Sequence, residues 1–458
     1  MDPRTVLRSR GYLGLLLLAA VLGVPISAIA YGFLALVDVL QDAVFTDLPR
    51  SLGLGKDPDW WPLPWLALAG LLVGLTLRYL PGTGGHPPSE GFHASGPPSA
   101  LELPGVVLAA VTSLALGVVL GPEAPLIALG AGLAALAVRS LRRDVPARTV
   151  SVVASSGSFA AISTLLGSPL LGAFLLMEAS GLGGATLGLV LLPGLLSAGV
   201  GSLIFVGLDA WTGLGTYSLA IPGLPAYGGP DVAEFGWALV IGLAAAVFGT
   251  GIRWLGQEVR PRVEPRMVLL TPVAGLAVAG LAFGYAALTD RSTSEVLFSG
   301  QDAVGPLVSG TADYTAGALV LLLMCKGLAY AVSLGSFRGG PVFPSMLLGA
   351  AGGLALSHLP GLNPVAGTAM GIGAMAAVML QLPLTSVLLA TLLLGKDGLD
   401  VMPLVIVAVV VAYLAAARLA PKPAPAGAPT GATTGPPTQP RPRGPGEHAA
   451  GGQVTRKG

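Results

Sequence analysis

The feature that most constrains this chain is a helix break that occurs twice inside apolar sequence. Residues 121–131 are Gly-Pro-Glu-Ala-Pro-Leu-Ile-Ala-Leu-Gly-Ala, and residues 340–350 are Gly-Pro-Val-Phe-Pro-Ser-Met-Leu-Leu-Gly-Ala. In both copies a Gly-Pro pair precedes a new apolar helix. A helix that begins inside a membrane leaves its first backbone N–H groups unpaired, with the positive end of its dipole directed inward. The duplicated break therefore predicts a protein that holds an anion partway across a bilayer.

The composition is typical of a polytopic membrane protein. Of 458 residues, 53% are hydrophobic and only 10% are charged, and the mean hydropathy is +0.78. Several apolar stretches are shorter than the roughly 20 residues that a full crossing needs, as expected for broken helices at a transport site. A net charge of +1 gives no reason to expect a nucleic-acid partner. Four histidines and one cysteine, Cys325, form no metal-binding pattern, so we expect no cofactor and no metal.

The positions of the arginines predict the orientation of the chain in the membrane. They form three groups: Arg4, Arg8 and Arg10; Arg139, Arg142, Arg143 and Arg148; and Arg253, Arg260, Arg262 and Arg266. The positive-inside rule places all three groups in the cytoplasm. The first group and the apolar run after it have the pattern of a signal peptide, but the run continues to about Leu40 and is too long for one. We therefore expect a retained first helix after a cytoplasmic segment, residues 1–11, in a multi-pass protein of the plasma (inner) membrane.

A second pair of similar segments extends the repeat. Residues 157–169 align with residues 371–383 at an offset of 214, and the two breaks align at an offset of 219. Small apolar residues match easily by chance, but two matches in the same order favour a true repeat. The helix after the first Gly-Pro break leads into Arg139–Arg148, whereas the helix after the second break leads into residues 357–363, which contain no Lys or Arg. The predicted fold is therefore an all-α polytopic membrane protein with two inverted-topology repeats and re-entrant or broken helices.

These patterns also predict the domain boundaries. The first membrane repeat covers residues 12–215, and the second covers residues 235–420. The composition then changes to Pro, Gly, Ala and Thr with scattered basic residues over residues 421–458. We expect this last segment to be a disordered cytoplasmic tail.

Glu123 is the main candidate for a functional side chain. A carboxylate inside a membrane is costly unless it is paired, protonated or in contact with water, but at a helix N-terminus its charge is favourably placed. The alternative is a glutamate that complements the dipole of a helix starting near the surface. The functional hypothesis is a tethered anion, whose carboxylate occupies the N–H-lined site that a transported anion uses. Protonation or displacement of this carboxylate would then open the path.

Two further Gly/Pro-rich segments are candidates for anion binding. In residues 339–344, Gly-Gly-Pro-Val-Phe-Pro, the N–H groups of Val342 and Phe343 are available donors, because proline has none. The alternative is a helix-breaking loop without a ligand. Residues 81–88, Pro-Gly-Thr-Gly-Gly-His-Pro-Pro, form either a plain loop or a third anion-facing turn in which Thr83 offers a hydroxyl.

A few other charges lie in or near apolar sequence. Glu178 ends an apolar stretch, and the simplest interpretation is a helix end near the surface. Lys326 lies inside another apolar stretch, where it either reaches the membrane interface or pairs with a buried carboxylate. Four more carboxylates are expected to be solvated loop charges: Glu90, Glu295, Asp302 and Asp313.

These residues resemble the CLC family of chloride channels and chloride/proton antiporters, in its bacterial form without a CBS domain. Residues 121–125 resemble the family's Gly-Arg-Glu-Gly-Pro motif, and residues 339–344 resemble Gly-Gly-Ile-Phe-Ala-Pro. Residues 82–87 stand where the family has Gly-Ser-Gly-Ile-Pro. The resemblance implies a homodimer with one pore in each subunit and Glu123 as the gating residue. It implies an anion-binding set of Gly121, Pro122, Ala124, Thr83, Gly84, Gly340, Val342 and Phe343.

The chain departs from this family at several positions. Without gaps, the alignment assigns the two donor positions to Pro341 and Val342, not to Val342 and Phe343. Proton-coupled members carry a second glutamate directly after the position of Glu178, where this chain has Ala179. Glu178 is therefore the possible proton route. In place of the family's pore tyrosine this chain has only Tyr413, inside an apolar run.

The sequence therefore predicts a chloride-transport protein in a lipid bilayer. It is either a CLC-type channel or a weakly proton-coupled exchanger, with chloride as its substrate and Glu123 as its gate. The alternative is an inverted-repeat secondary transporter for another anion, such as fluoride, or for cations. A cation site would call for several buried carboxylates, and only Glu123 is well placed. An intramembrane enzyme is not expected, because the sequence lacks HExxH, a GxSxG nucleophile with a histidine, and paired aspartates.

Overall fold

A computed structural model describes residues 5, 7–54, 58–92, 96–141, 144–181, 184–212, 227–310 and 313–420. The predicted tail at 421–458 lies outside the described residues, as do Arg4, Arg142 and Arg143. The described part contains fifteen α-helices of nine or more residues: α1 (Arg10–Asp42), α2 (Pro62–Tyr79), α3 (Leu103–Ala115), α4 (Glu123–Leu141), α5 (Ala147–Leu166), α6 (Pro169–Ser180), α7 (Gly184–Thr212), α8 (Val232–Val263), α9 (Met267–Thr289), α10 (Gln301–Ser309), α11 (Ala316–Ser336), α12 (Val342–Ser357), α13 (Pro364–Leu380), α14 (Pro383–Leu393) and α15 (Gly398–Leu419).

The helices have the lengths and composition of a multi-pass membrane protein. Among the described residues, eight helical segments are long and apolar enough to cross a membrane, and five further apolar helices have only 10–17 residues. The first long segment, Arg10–Ser51, is continuous over 42 residues, as expected for a retained helix. The short apolar helices lie among the long ones along the chain, which confirms the predicted all-α fold with broken helices.

Long-range contacts establish which helix ends share a side of the molecule. α1 has 33 residues and is about 50 Å long at 1.5 Å per residue. Nε1 of Trp61, just before α2, donates to the Val44 carbonyl (2.9 Å), so α2 begins where α1 ends and returns toward Arg10. Glu90 follows α2 and binds Arg260 near the end of α8. Arg10 and Arg260 therefore lie on the same side.

The two halves pack in the same way around close glycine contacts. Gly130 of α4 meets Gly157 of α5 so closely that a Cβ on either residue would overlap the other's carbonyl oxygen. Gly349 of α12 meets Gly371 of α13 with the same closeness. These four glycines are equivalent under the alignment inferred from the sequence. The repeat is therefore confirmed by contacts that small residues alone allow.

The equivalent helices α4 and α12 run in opposite directions. Gly132 in the middle of α4 packs against Leu103 at the start of α3. The other end of α3 reaches the end of α1, where Gln41 Nε2 donates to the Leu114 carbonyl (2.9 Å). α4 therefore points toward the side of Arg10. After α12, His358 Nε2 lies 3.1 Å from the carbonyl of Tyr314, whose hydroxyl donates to Glu295 in the segment that follows α9 on the opposite side. The repeats are inverted, as predicted.

Candidate functional site

The two helix breaks meet in the middle of the molecule. Gly121 and Gly340 form an isolated antiparallel bridge, in which each N–H donates to the other's carbonyl at 2.8 and 2.5 Å. α4 begins two residues after Gly121, and α12 begins two residues after Gly340. In both breaks a proline follows the glycine, so the backbone cannot continue a preceding helix through it. The bridge holds two helix N-termini side by side.

Glu123 is the first residue of α4, and its side chain is fully buried. Its Oε1 accepts a hydrogen bond from the backbone N–H of Phe343 at 2.9 Å. The other oxygen, Oε2, has no hydrogen-bond partner among the described residues. The carboxylate thus lies on the N-terminus of α12, where the helix dipole favours a negative charge, but only one of its two oxygens accepts a hydrogen bond from the described residues.

The glycines of the two breaks make room for this carboxylate. A Cβ added at Gly340 would overlap Glu123 Oε2, and one added at Gly121 would overlap both carboxylate oxygens. Any larger residue at either position therefore requires the side chain of Glu123 to move. The space that Glu123 needs therefore explains why both copies of the break have glycine at this position.

Residues on either side of Glu123 line two different cavities. Pro122 lines a cavity of about 400 Å3 that extends to Asp38, Glu295 and Tyr314, and we name it the Pro122 cavity. The next two residues after Glu123 line a cavity of about 110 Å3, which also contacts Arg338, and we name it the Arg338 cavity. The segment after α2 lines the Arg338 cavity and the segment after α9 lines the Pro122 cavity, so the two lie toward opposite sides. Glu123 stands in the chain between the residue that lines one cavity, Pro122, and the residue that lines the other, Ala124.

The third predicted break contributes its backbone to this region. Thr83 has a left-handed backbone (φ 47°), and its carbonyl accepts a hydrogen bond from Arg338 Nε at 3.1 Å. Gly84 lines the Arg338 cavity, together with Ala124, Pro341 and Gly339. Of the two residues proposed for this break, Gly84 therefore lines the cavity, whereas Thr83 is not among the described residues that line it.

Glu178 connects the two repeats. From the end of α6, its carboxylate accepts hydrogen bonds from the backbone N–H of Leu384 (3.0 Å) and from the N–H and hydroxyl of Thr385 (both 2.7 Å). These donors belong to the first turn of α14, so Glu178 caps that helix from the other repeat. The neighbouring residue Ala179 cannot carry a proton.

Neither alternative for Lys326 fits the described residues, among which its partners are backbone carbonyls and not a carboxylate side chain. It is fully buried in α11, and its Nζ donates to backbone carbonyls of Glu295 (3.1 Å), Val296 (2.9 Å) and Leu297 (2.9 Å), with Phe298 O at 3.4 Å. The expectation that Glu295 is a solvated loop charge was wrong. Its carboxylate accepts from Tyr285 (2.5 Å), Arg291 (2.9 Å) and Tyr314 (3.1 Å). This Lys326–Glu295 cluster borders the Pro122 cavity.

Two residues near the breaks have no counterpart in the sequence prediction. Arg338 is only 8% exposed and lines the cavity next to Glu123. Tyr330 is fully buried in α11, and its hydroxyl donates to the Pro341 carbonyl at 2.8 Å. Arg338 directly precedes the Gly-Gly-Pro break. A charged residue at the edge of a predicted membrane break could therefore have identified it from the sequence. The position of Tyr330 depends on how α11 packs, and no sequence pattern indicates it.

Comparisons with known proteins agree with this geometry. The sequence model described as "Voltage gated chloride channel" matches residues 69–417. Relatives described as "Putative ion-transport protein YfeO" are 29% identical over 359 residues in Salmonella paratyphi A and 28% identical in Escherichia coli. These alignments cover 76% and 77% of this chain, and 82% and 81% of the relatives.

The fold is similar to solved structures of transporters. A slow cyanobacterial Cl−/H+ antiporter matches with a TM-score of 0.73 at 19% identity, over 89% of this chain and 95% of that one. A CLC-type fluoride/proton antiporter matches with a TM-score of 0.65 at 20% identity, over 88% and 95%. The match of the sequence model over most of the chain shows the family: this chain belongs to the voltage gated chloride channel family.

Proposed function

We propose that this member of the family moves chloride across a membrane, and that the side chain of Glu123 gates the path. The observation that carries the proposal is the position of the Glu123 carboxylate. It is buried and bound by the Phe343 N–H at the start of α12, and the residues on either side of Glu123 line two different cavities. A carboxylate in such a place imitates the ion that the site is built to hold.

Competition for the same donors explains how such a gate works. When the carboxylate is ionised, it occupies the N–H of Phe343 and repels an approaching anion. The N–H of Val342 opens the same helix and is the second proposed donor, while Gly121, Pro122, Ala124 and Gly340 form the walls of the site. A neutral or displaced side chain leaves these donors to chloride. The backbone group that binds the carboxylate here is an N–H donor, which favours an anion over a cation.

Protonation of Glu123 sets the expected pH dependence. A lower pH increases the neutral fraction of the carboxyl group, which no longer competes as an anion. Chloride flux should therefore rise as the pH falls. The unpaired Oε2 supports this proposal, because a proton can be added there without breaking the bond to Phe343.

The test is chloride efflux from liposomes at a series of pH values. Glu123→Gln should conduct with little pH dependence, and Glu123→Ala should behave in the same way. Glu234→Gln is the matched control, because Glu234 is also a buried carboxylate, bound instead to Tyr227 at 2.6 Å, and it should keep the wild-type response. A wild-type pH response in Glu123→Gln would refute the gate. Flux of potassium without chloride would refute the proposal that the substrate is an anion. Repeating the efflux assay with fluoride tests the alternative halide.

We also propose that chloride movement is weakly or not at all coupled to protons. Ala179 carries no proton, and the Glu178 carboxylate is held by three donors of α14. Simultaneous recording of chloride and proton fluxes should show less than stoichiometric proton movement. Stoichiometric proton uptake driven by chloride would contradict this, and its loss in Glu178→Gln would then identify Glu178 as the proton route.

The assembly and orientation are part of the same proposal. The resemblance implies a homodimer, and the arginine-bearing helix ends imply that the side of Arg10 and Arg260 faces the cytoplasm of a bacterial inner membrane. Mass measurement in mild detergent should give a dimer. Single cysteines near Arg10 should react with an impermeant thiol reagent only from the cytoplasmic side, after Cys325→Ser removes the native thiol. A monomer, or labelling from the outside, would contradict these points.

A further inference from the structure

Arg338 is a buried guanidinium at the edge of the anion site. It is only 8% exposed and stands directly before the Gly339–Pro341 break. Its Nε donates to Thr83 O at 3.1 Å, and its Nη1 donates to Phe337 O at 3.1 Å. These two bonds fix the plane of the group. A guanidinium has five N–H donors, so three remain, and no described residue accepts from Nη2.

The charge of Arg338 has no ion-pair partner among the described residues. The two carboxylates whose charges reach it are Glu90 and Glu264. Both interact with Arg260 instead: Glu90 is bonded to Arg260 Nη1, and Glu264 Oε2 lies 3.6 Å from Arg260 Nε. A buried cation without a paired anion is costly, because burial removes the hydration of its charge. A mobile anion would remove much of this cost.

The cavity beside Arg338 has room for such an anion. Its volume is about 110 Å3, several times what a single water molecule requires. Ala124 and Pro125, which follow Glu123 directly, form one wall, and Gly84 and Gly339 add backbone without a bulky side chain. An anion held here lies one step from the gate, on the side that contains Arg260.

We propose that Arg338 is an anion-binding and selectivity-determining residue of the transport path. This inference rests on the proposed function. The remaining donors of a guanidinium lie in one plane and can form two parallel hydrogen bonds to a planar oxyanion. A spherical halide cannot use this fork as fully. Arg338 therefore binds small monovalent anions and raises the affinity for nitrate relative to chloride.

The experiment compares two substitutions that separate charge from shape. Arg338→Lys keeps the charge but replaces the planar fork with a single ammonium, whereas Arg338→Met removes both. The matched control is Arg253→Lys, because Arg253 is another partly buried arginine, bonded to Val378 O at 3.1 Å, that does not line this cavity. Nitrate and chloride binding to the full-length protein in detergent is measured by calorimetry, and the relative permeability of the two anions is measured in liposomes.

We expect Arg338→Met to weaken the binding of both anions by about tenfold or more. Arg338→Lys should lower the nitrate-to-chloride ratio of affinity and permeability by about threefold or more, and Arg253→Lys should leave the ratio unchanged. If Arg338→Met does not fold, the ratio in Arg338→Lys still decides. Wild-type transport of chloride with an unchanged ratio in Arg338→Lys would overturn this inference alone. Failure of the wild type to bind or move either anion would overturn the proposed function.

Discussion

Glu123 and Lys326 are two fully buried ionisable side chains in similar apolar surroundings, and their hydrogen bonding differs sharply. Lys326 Nζ lies within 3.1 Å of three carbonyl oxygens, which is the number of donors an ammonium has. Glu123 uses one oxygen and leaves the other unpaired. A group whose bonds are all made is fixed in place. A group with bonds missing can be exchanged for another ligand at small cost, and this is what a gate requires.

The backbone around each residue explains the difference. The segment Glu295–Phe298 turns so that consecutive carbonyls converge on Lys326, and Phe298 completes the turn with a left-handed backbone (φ 57°). At Glu123 the surrounding backbone is a helix start, where N–H groups point along one axis and the N–H of Phe343 donates to the carboxylate. A turn encloses a charge from several directions, whereas a helix N-terminus faces it from one.

The largest expected effect is the loss of stability in Lys326→Met. The change leaves three carbonyls without their donor, and we expect the free energy of unfolding to fall by about 3 kcal/mol or more. Thermal unfolding in detergent measures this. Lys396→Met is the matched control, because Lys396 is exposed, and it should unfold at the wild-type temperature. Equal stability of Lys326→Met and Lys396→Met would contradict the claim that Lys326 is a fixed structural charge.

The next effect is functional and concerns Glu123→Gln. Glutamine still accepts a hydrogen bond from Phe343, so the free energy of unfolding should change by less than about 1 kcal/mol. Chloride efflux at neutral pH should rise by about tenfold, which corresponds to about 1.4 kcal/mol. The same unfolding and efflux assays check both values. A loss of stability as large as that of Lys326→Met would show that Glu123 is a structural charge too.

A smaller effect is expected when Glu123 is kept and its space is removed. In Gly340→Ala the new methyl group occupies the position of Oε2, so the carboxylate must leave the site. Efflux at neutral pH should rise by about threefold with a weakened pH response. The control is Gly352→Ala in the same helix, where the nearest atoms to a new Cβ lie at 3.9 and 4.0 Å. Unchanged efflux and pH response in Gly340→Ala would argue against a movable carboxylate.

The smallest effect concerns Glu90, a charge that is paired but partly exposed, in contrast to the buried Glu123 and Lys326. The Arg260 guanidinium lowers the pKa of Glu90 below its usual value by hydrogen bonding and charge. This contribution to stability is present above the unfolded pKa of about 4.3 and is lost as the pH falls through the lower folded pKa. Because Glu90 is 43% exposed, Glu90→Gln should cost only about 0.2–1 kcal/mol at neutral pH.

Unfolding of wild type and Glu90→Gln between pH 3 and pH 7 checks this prediction, and the two should converge at the acidic end. Glu258→Gln is the comparison variant, because Glu258 is likewise paired with an arginine. Its partner is Arg262, in the same helix, at 2.7 Å. A Glu90→Gln effect that grows at low pH would have the wrong sign for the pair described here.

The sequence was most informative where local chemistry is repeated. The Gly-Pro breaks predicted both helix starts, and the offsets of 219 and 214 identified glycine pairs that meet in each half. Inversion was predicted from the arginines alone. The roles of Glu123, Val342 and Phe343 stay predictions, although the structure places Glu123 and Phe343 in contact.

Other features could not be predicted because they depend on segments distant in sequence. The carbonyls around Lys326 come from residues about 30 positions earlier, and backbone carbonyls are the same for every residue type. Arg338 is separated from Thr83 by 255 positions. The helix α10, with Asp302 in its first turn, arises in sequence that was expected to be a loop. Apolar patterns report which residues are buried but not which polar groups meet there.

The bridge between Gly121 and Gly340 has a consequence for how the protein is made. When the first half enters the membrane during synthesis, its break carries a backbone N–H and a carbonyl that in the finished fold bond to Gly340, which lies 219 residues later in the chain. Unpaired backbone groups are not tolerated in hydrocarbon. Until the second half arrives, these groups must be kept hydrated or shielded by the insertion machinery. The proposed anion site would therefore be absent from either half alone and would be completed late in biogenesis, when the two halves dock.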